Sequence, residues 1–286
     1  MLPISAKAQI ACNGSQGLCN KRFNEVRFLT THNAFNYALR GKQKKYGPWT
    51  YLFPNQNRPI QNQLNAGVRA LMIDLHLDKN EVVLCHGGKA CDLIGKDLAV
   101  KVFTNIRVFL ESHPYEIVTL ILESYIPTLK LTEVLNESGL SAFLHCQPKG
   151  SPWPTLGEMV AHPQSQDCKY PGRLVILNDH VEENDPKWNL NLFGDWAIET
   201  KYSYKKIEEL DCELNRGDKK NDLFILNHFT TFIAGKKRDA KKINQYHFLM
   251  DRVKKCEAVT GKIANFITVD FYSSGEALAV IKQLND

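Results

Sequence analysis

The stretch Gly67–Gly88, GVRALMIDLHLDKNEVVLCHGG, constrains the fold more than any other part of the sequence. It contains two apolar, β-branched runs, Val68–Leu75 and Val82–Cys85, separated by the polar turn DKNE. Because so short a connection cannot hold a crossover helix, the runs are expected to pair as an antiparallel hairpin. That pairing sets His86 roughly opposite Asp74. A carboxylate beside an imidazole at the end of apolar strands fits either an active site or a buried structural pair.

The rest of the chain alternates short apolar runs with stretches of helical periodicity. Ile117–Leu122 is a continuous apolar run, typical of a strand covered on both faces. Asp239–Gly261 is predicted to be one long helix, with an acidic start and a glycine stop. No repeat or linker interrupts this alternation, so we expect a single-domain (β/α)8 TIM barrel over residues 26–286, with the hairpin at 68–86. Residues 1–25 are expected to form a cysteine-bearing N-terminal segment.

Each predicted strand ends in a polar residue. In a (β/α)8 barrel the active site lies at the C-terminal ends of the strands, so these residues are expected to converge. They are His32, Asn33, Asp74, Glu123, Asp179, Glu199, Asn227 and Asp270, with His86 brought in by the hairpin. Arg69 lies at the opposite end of its strand and is interpreted as structural.

Two histidines and several carboxylates at one rim suit general acid–base cleavage of a phosphodiester. His32 would take the proton of an attacking hydroxyl, His86 would protonate the departing oxygen, and Asp270 would hold the tautomer of His32. Asn33, Asp74 and Glu123 offer oxygen ligands of the kind that calcium accepts. For Asp74 and Glu123 the alternative is a buried carboxylate satisfied by backbone groups.

Six segments carry a resemblance to a known family. They are THNAF at 31–35, NQLNAGVRALMIDLH at 62–76, VVLCHGG at 82–88, SHPYEIVTLILESY at 112–125, WPTLGEMV at 153–160 and NFITVDFY at 265–272. This set resembles the phosphatidylinositol-specific phospholipase C X-domain family, in particular its small, single-domain secreted members. The resemblance implies a distorted TIM barrel that cleaves phosphatidylinositol to diacylglycerol and an inositol phosphate, with the inositol 2-hydroxyl as nucleophile.

The resemblance also implies roles for individual residues. By motif, His32 matches the family's general base, His86 its general acid and Asp270 the partner of the base. Asn33, Asp74 and Glu123 match the ligands of its calcium-dependent members.

The sequence departs from the family pattern at two positions near Asp74. Met72 stands where calcium-dependent members carry a further acid, and His76 stands where metal-free members carry an arginine. Lys201 and Tyr202 are candidates for headgroup contact. Since the family's ring-phosphate lysines and arginines have no clear match, plain phosphatidylinositol is the expected substrate.

Composition bears on the compartment and on possible partners. The chain has eight cysteines and a net charge of +5. Cys12 and Cys19, like Cys85 and Cys91, are close enough to close small loops, which favours an oxidising compartment and a secreted protein. No motif indicates nucleic-acid binding, and no segment is apolar enough to span a membrane. The expected partner is an inositol phospholipid at a membrane surface, contacted by a monomer.

Two further stretches bear on membrane contact and secretion. The loop at 36–62 carries Tyr46, Trp49, Tyr51 and Phe53 beside several lysines. These aromatic side chains suit either a membrane interface or packing on the barrel wall. Ala6-Lys7-Ala8 resembles the end of a signal peptide.

Two other functions compete with this interpretation. A glycerophosphodiester phosphodiesterase would be expected to begin with HRG, to carry Glu-x-Asp on its second strand and to end the hairpin in HD. This chain has THN, Met72-Ile73-Asp74 and His86-Gly87 instead. A catalytically silent lipid- or glycan-binding barrel is the other alternative, and the retention of both histidines argues against it.

Overall fold

Eight parallel strands form the frame of the molecule in the computed structural model, which describes residues 10–37, 54–86, 91, 95–182, 185–231 and 235–286. The parallel strands are β1 Phe28–Thr31, β2 Ala70–Asp78, β5 Val118–Ser124, β6 Leu174–Asn178, β7 Asn189–Asn191, β8 Ala197–Thr200, β10 Leu223–His228 and β11 Phe266–Val269. Three short strands run antiparallel to their neighbours, namely β3 Glu81–Leu84, β4 Asp97–Leu98 and β9 Leu214–Arg216. The predicted (β/α)8 architecture is confirmed.

The sheet curls into a barrel that is open along one seam. Its strand order is β7-β6-β5-β2-β1-β11-β10-β8-β9, and β1 pairs with β11 in parallel register. Within the described ranges no pairing joins β7 to β8. The link between these two strands is a single π turn, Leu192–Trp196, instead of a crossover helix. The outer edge of β8 pairs with β9 instead, so the free edges of the open sheet are β7 and β9, which the sequence did not predict.

The helices lie outside the sheet. They span Ile60–Ala66, Ala99–Ser112, Thr128–Glu137, Leu156–Val160, Lys237–Ile243, Tyr246–Thr260 and Ala277–Asn285. None of the helices in the described residues is both long and apolar enough to cross a membrane.

The prediction of one helix over Asp239–Gly261 is wrong, because the chain breaks at Asn244. The side chain of Asn244 donates a hydrogen bond to the carbonyl of Asp270 at 3.0 Å, and Gln245 is extended. The carboxylate of Glu276 then accepts from the backbone N–H of Tyr246, the first residue of the second helix. Tertiary hydrogen bonds therefore outweigh local helical periodicity at this point.

The predicted hairpin is confirmed. β2 and β3 pair antiparallel, with Leu75 opposite Leu84. Lys79 and Asn80 both have positive φ, +49° and +67°, as a tight two-residue turn requires. In this register Asp74 faces Cys85, so His86 lies one residue beyond the position directly opposite Asp74.

Alternation along the strands separates an apolar barrel floor from a polar rim. In β2 the side chains of Ala70, Met72 and Asp74 share one face, since every second residue of a strand points to the same side. Ala70 belongs to the core inside the barrel, whereas Leu71 and Ile73 pack in the core between the sheet and the helices. The same sequence from apolar to polar recurs in β11, where Phe266 packs inside the barrel and Asp270 lies just past the strand end. This pattern collects ionisable groups at a single rim.

Four disulfides join all eight cysteines. They are Cys12–Cys19, Cys85–Cys91, Cys146–Cys168 and Cys212–Cys256. The two short-range pairs expected from spacing are present. The described part of the N-terminal segment packs on the barrel floor, where the ring of Phe23 stacks on Trp153 at 4.8 Å. Its assignment as a separate unit stays a prediction.

Removing the Cys212–Cys256 disulfide by alanine substitution of both residues is expected to lower the free energy of unfolding by about 2–4 kcal/mol. This bond closes a 44-residue separation, against 7 for Cys12–Cys19. The loop-entropy relation makes the longer crosslink about 1.6 kcal/mol more stabilising. Urea unfolding of both double variants measures the difference. Equal losses would show that chain entropy does not govern the contribution of either bond.

Several predicted features lie outside the described residues. They are the aromatic side chains at 46–53 with the neighbouring lysines, the Ala6-Lys7-Ala8 segment and Gly87 of the His86-Gly87 motif. Arg69 is structural as predicted, because it donates to Glu116 and to the carbonyls of Leu64 and Val68.

Candidate active site

A cavity of about 150 Å³ opens at the C-terminal rim of the barrel. Of the predicted strand-end residues, those bordering it are His32, Asn33, Asp74, Glu123, Asp179, Glu199 and Asn227. Tyr202 also borders it. Asp270 and His86 do not line it directly, but each is hydrogen-bonded to a residue that does. The structure therefore brings together the candidate acid–base and metal-binding residues.

His32 is held by the carboxylate of Asp270. The two atoms His32 Nδ1 and Asp270 Oδ1 are 2.9 Å apart, and Asp270 is only 2% exposed. A carboxylate oxygen at this distance suits the tautomer in which Nδ1 carries the proton and Nε2 has the lone pair. The ring also stacks on Phe229, with centroids 3.9 Å apart. A fixed ring with a free Nε2 can act as a base.

Asn55 connects the surroundings of the two histidines, and sequence reasoning missed it. Its Nδ2 donates to Asp270 Oδ1 at 3.1 Å, and its Oδ1 accepts from Asn33 Nδ2 at 3.2 Å. Asn33 Nδ2 in turn lies 3.3 Å from His86 Nδ1. Asn55 sits in a polar stretch without periodicity, so no sequence signal distinguished it from the surrounding asparagines.

The backbone is strained directly after both residues of the His32–Asp270 pair. Asn33 has φ +43° and Phe271 has φ +47°. Asparagine tolerates this region, but for a bulky residue such as phenylalanine it costs on the order of 1–3 kcal/mol. Such strain persists where surrounding contacts fix the chain, and here the N–H of Phe271 donates to the carbonyl of Asn55 at 2.7 Å. The strained positions support a functional role for this corner of the rim.

Gly235 leaves the space that Asp270 occupies. A Cβ on Gly235 would lie 2.5 Å from Asp270 Oδ2 and 3.0 Å from Asn55 Nδ2. We therefore expect Gly235→Ala to displace the carboxylate and to slow any reaction that uses the His32–Asp270 pair about tenfold or more, since a misplacement of 1 Å can cost about 100-fold. Steady-state assays would measure this loss.

Gly17→Ala is the matched control for Gly235→Ala, because the nearest atom to its added Cβ is 3.8 Å away. A Gly235→Ala variant as active as Gly17→Ala would show that the position of Asp270 is not critical.

His86 is held by Asp74 at the edge of the cavity. His86 Nδ1 lies 3.0 Å from Asp74 Oδ2, as the hairpin predicted. The side chain of His86 is 54% exposed, against 17% for His32. The hydrogen bond to Asp74 raises the pKa of His86, and the charges of Asp74, Glu123 and Asp270 act in the same direction against partial burial. A histidine with a raised pKa holds its proton and can act as an acid.

We expect Asp74→Asn to lower the pKa of His86, because the main cause of its elevation is removed. An activity that needs protonated His86 is lost as pH rises through that pKa, so the alkaline limb of the pH–rate profile should move to lower pH. NMR titration of the His86 ring in chelator gives the pKa directly. A pKa unchanged or raised in Asp74→Asn would contradict the assignment.

The carboxylates at the cavity repel one another. Burial raises the pKa of Glu123, and the charges of Asp74 and Asp179 raise it further. Burial likewise raises the pKa of Asp179. A cation among these carboxylates would reduce their repulsion. The oxygens of Asn33, Asp74 and Glu123 are of the kind that suits calcium.

Their arrangement is less favourable for a metal ion. Asp74 already accepts from His86, and Glu123 accepts from the hydroxyl of Tyr125. Over the described ranges, no three His, Cys, Asp or Glu side chains are grouped so as to hold a metal. The three residues fit calcium by chemistry but do not form a preformed cage, and calcium stays a prediction.

The two candidate headgroup residues differ in position. Tyr202 borders the cavity, whereas the amino group of Lys201 pairs with Asp211 and Glu213 outside it. A basic residue that borders the cavity is Arg216, which comes from the short strand β9. Sequence reasoning missed Arg216 because it lies among polar residues with no periodicity to mark a strand.

Comparison with known proteins gives a consistent result. The family model PI-PLC X 1 matches residues 18–285. A PI-PLC X domain-containing protein of Arabidopsis thaliana is 28% identical over 92% of this chain. An uncharacterized secreted protein of Arthroderma benhamiae is 20% identical over 96%. The chain spans 62% of the length of each of these two relatives. PI-PLC X domain-containing protein 1 of the same fungus is 24% identical, with 96% of this chain and 90% of that protein covered.

Solved structures give the same fold. The phosphatidylinositol-specific phospholipase C from Listeria monocytogenes superposes with a TM-score of 0.61 at 14% identity, covering 94% of this chain and 95% of that one. The corresponding S. aureus enzyme has a TM-score of 0.58 at 14% identity, with the same coverage. At this identity the likeness establishes the architecture, a TIM-barrel-like half-barrel, and the function must be argued from the site.

Proposed function

Because the chain belongs to the PI-PLC X domain family, we propose that it cleaves phosphatidylinositol, or a related inositol phospholipid, to diacylglycerol and an inositol phosphate. Fold and family support a phosphodiesterase. The observation that carries the proposal is the pair of histidine–aspartate hydrogen bonds, His32–Asp270 and His86–Asp74, at one rim. Acid–base cleavage of a phosphodiester needs one imidazole that accepts a proton and one that donates a proton.

The two imidazoles divide the chemistry between them. His32, its Nδ1–H directed to Asp270, takes the proton of the inositol 2-hydroxyl at Nε2 while that oxygen attacks phosphorus. The bond from phosphorus to the glycerol oxygen breaks, and protonated His86 transfers a proton to that oxygen. The products are diacylglycerol and a cyclic inositol phosphate. Reversal of the two roles, with water as nucleophile, opens the ring to the linear phosphate.

The two histidines differ in solvent exposure, and this difference suits the different positions of the headgroup and the diacylglycerol. The base is mostly buried, where it meets the polar headgroup inside the cavity. The acid is half-exposed on the hairpin, at the side from which a diacylglycerol leaving group would return to its membrane. Asp270 stabilises the imidazolium of His32 as the proton arrives, and Asp74 keeps His86 protonated beforehand.

We retain calcium as a proposed cofactor, held by Asn33, Asp74 and Glu123. When bound, it would supply positive charge next to the phosphate. The protein's own contribution is the orientation of these oxygens. Asp74 also holds His86, so metal binding and the acid would share one carboxylate.

A membrane-facing rim would bring the site to its substrate. Three apolar or aromatic side chains follow the C-terminal ends of β5 and β8 in the chain, and they are unusually exposed: Tyr125 at 58%, Leu129 at 69% and Tyr202 at 50%. Exposed aromatic side chains of this kind insert readily at a lipid interface. Four disulfides and a relative named as a secreted protein support an extracellular location. A monomeric state remains a prediction.

The test is an assay on phosphatidylinositol vesicles, in chelator and across a calcium titration, that resolves cyclic from linear inositol phosphate. We expect diacylglycerol and cyclic product to be released in equal amounts at first. No release with or without calcium would instead favour a silent lipid-binding barrel. Faster cleavage of glycerophosphocholine than of phosphatidylinositol would favour a glycerophosphodiester phosphodiesterase.

A further inference from the structure

Arg216 is the one lysine or arginine that borders the cavity in the described part of the chain. It comes from β9, an antiparallel strand added to the edge of β8, where Arg216 pairs with Glu199. This strand stands outside the eight parallel strands that deliver the other candidate residues. The cation of the cavity thus comes from an addition to the barrel frame.

The position of β9 is fixed at both ends. Before it, Cys212 is bonded to Cys256 in the helix Tyr246–Thr260. After it, Gly217 has φ +88°, and a Cβ there would lie 2.0 Å from the carbonyl oxygen of Ala197. Only glycine permits so close an approach of the two strands. The backbone that carries Arg216 is therefore held firmly against β8.

The guanidinium of Arg216 is oriented by three neighbours. Its Nε donates to the buried carboxylate of Glu199, whose other oxygen accepts from Asn227 at 3.2 Å. Its Cζ lies 4.0 Å from the ring centroid of Phe193 and 4.8 Å from that of Tyr202. These contacts fix the guanidinium plane and use only Nε. Among the described residues, Nη1 and Nη2 have no hydrogen-bond partner.

An anionic substrate would meet a strongly acidic cavity without this cation. Asp74, Glu123, Asp179 and Glu199 all border the cavity. A phosphodiester that entered among four carboxylates would be repelled unless a fixed positive charge were close by. Guanidinium groups bind phosphate oxygens through two parallel N–H donors, which is the geometry left free when Nε is already paired.

We propose that Arg216 binds the phosphate group of the substrate through Nη1 and Nη2 and supplies positive charge to the cavity. Position 76 is a histidine instead of an arginine, and position 72 is a methionine instead of an acidic metal ligand. The proposal rests on the proposed function for the identity of the phosphate ester, but phosphate binding can be measured without turnover. In this arrangement Glu199 positions Arg216, and the aromatic pair keeps its plane directed at the ligand.

Calorimetry with inositol 1-phosphate and with neutral myo-inositol, both in chelator, tests the proposal. Arg216→Gln should weaken inositol 1-phosphate binding about tenfold to 100-fold, as loss of a charged hydrogen bond predicts. Binding of myo-inositol should be unchanged. Arg216→Lys should fall in between, because an ammonium group lacks the two-pronged geometry. Arg107→Gln, which removes an arginine paired with Glu111 on an outer helix, is the control and should match the wild type.

Three outcomes would overturn the proposal. Equal losses for both ligands would make Arg216 a structural residue of β9. Recovery of phosphate affinity in the double variant Arg216→Gln/Glu199→Gln would mean that the arginine only neutralises Glu199. Failure of the wild type to bind inositol 1-phosphate at all would also refute it. By contrast, Arg216-dependent phosphate binding in a protein that cleaves no lipid would uphold the inference and refute the proposed function.

Discussion

Replacing His32 by alanine is expected to lower kcat for phosphatidylinositol cleavage by about 10²–10⁴-fold, the usual contribution of a general base. The contacts of the His32 ring are Asp270, the neighbouring Asn55 amide and the face of Phe229, and these contacts indicate no other role for it. Removing it leaves the inositol hydroxyl with no group to take its proton. Initial rates on vesicles at saturating lipid measure the effect.

His247→Ala is the matched control for this experiment. His247 is exposed on the helix Tyr246–Thr260, contacts Tyr246 and does not border the cavity. We expect this variant to be as active as the wild type, and circular dichroism should show both variants folded. If His32→Ala keeps a tenth or more of the activity, another group acts as the base. His86→Ala should be similarly impaired, and the double variant little worse, because the two histidines act in one step.

Asp270→Asn should produce a loss of up to about 10⁴-fold in kcat, the effect of amidating the equivalent carboxylate in a Ser-His-Asp triad. An asparagine fills the same volume, but its amide can donate to His32 Nδ1. That contact places the ring proton on Nε2, where it blocks the lone pair that must accept the hydroxyl proton. KM should change little, because Asp270 does not line the cavity.

Asp251→Asn, an exposed acid on the helix Tyr246–Thr260, controls for the change in net charge. A second measurement separates a tautomer effect from misfolding. The ¹⁵N shifts of the His32 ring should show Nδ1 protonated in the wild type and Nε2 protonated in Asp270→Asn. An active Asp270→Asn protein, or an unchanged tautomer, would contradict the role given to this carboxylate.

Much of the barrel and its rim could be predicted because both follow from local patterns. A strand whose alternate residues run from apolar to polar, such as Ala70-Met72-Asp74, sets both its pairing and the position of its ionisable end. The hairpin turn at Lys79–Asn80 had an equally local signal. These features require no knowledge of the rest of the chain.

The features that escaped prediction depend on distant contacts. The helix break at Asn244 comes from a hydrogen bond to the carbonyl of Asp270, 26 residues away. Asn55 and Arg216 reach the site from segments without periodicity, and their importance lies in partners such as Asp270 and Glu199. Composition and residue spacing contain no information on these long-range contacts, so a single sequence does not reveal them.

The seam between β7 and β8 has a consequence for selectivity. Leu192 and Phe193, in the π turn that crosses it, border the cavity. Among the described strands no ladder joins β7 to β8, whose outer edge pairs with β9, so the π turn alone forms the cavity wall between them. Under the proposed function, we expect a headgroup bulkier than inositol, such as a glycosylated inositol, to contact the protein on this flank. We expect relatives that bind different headgroups to differ in sequence at the π turn more than at the histidines.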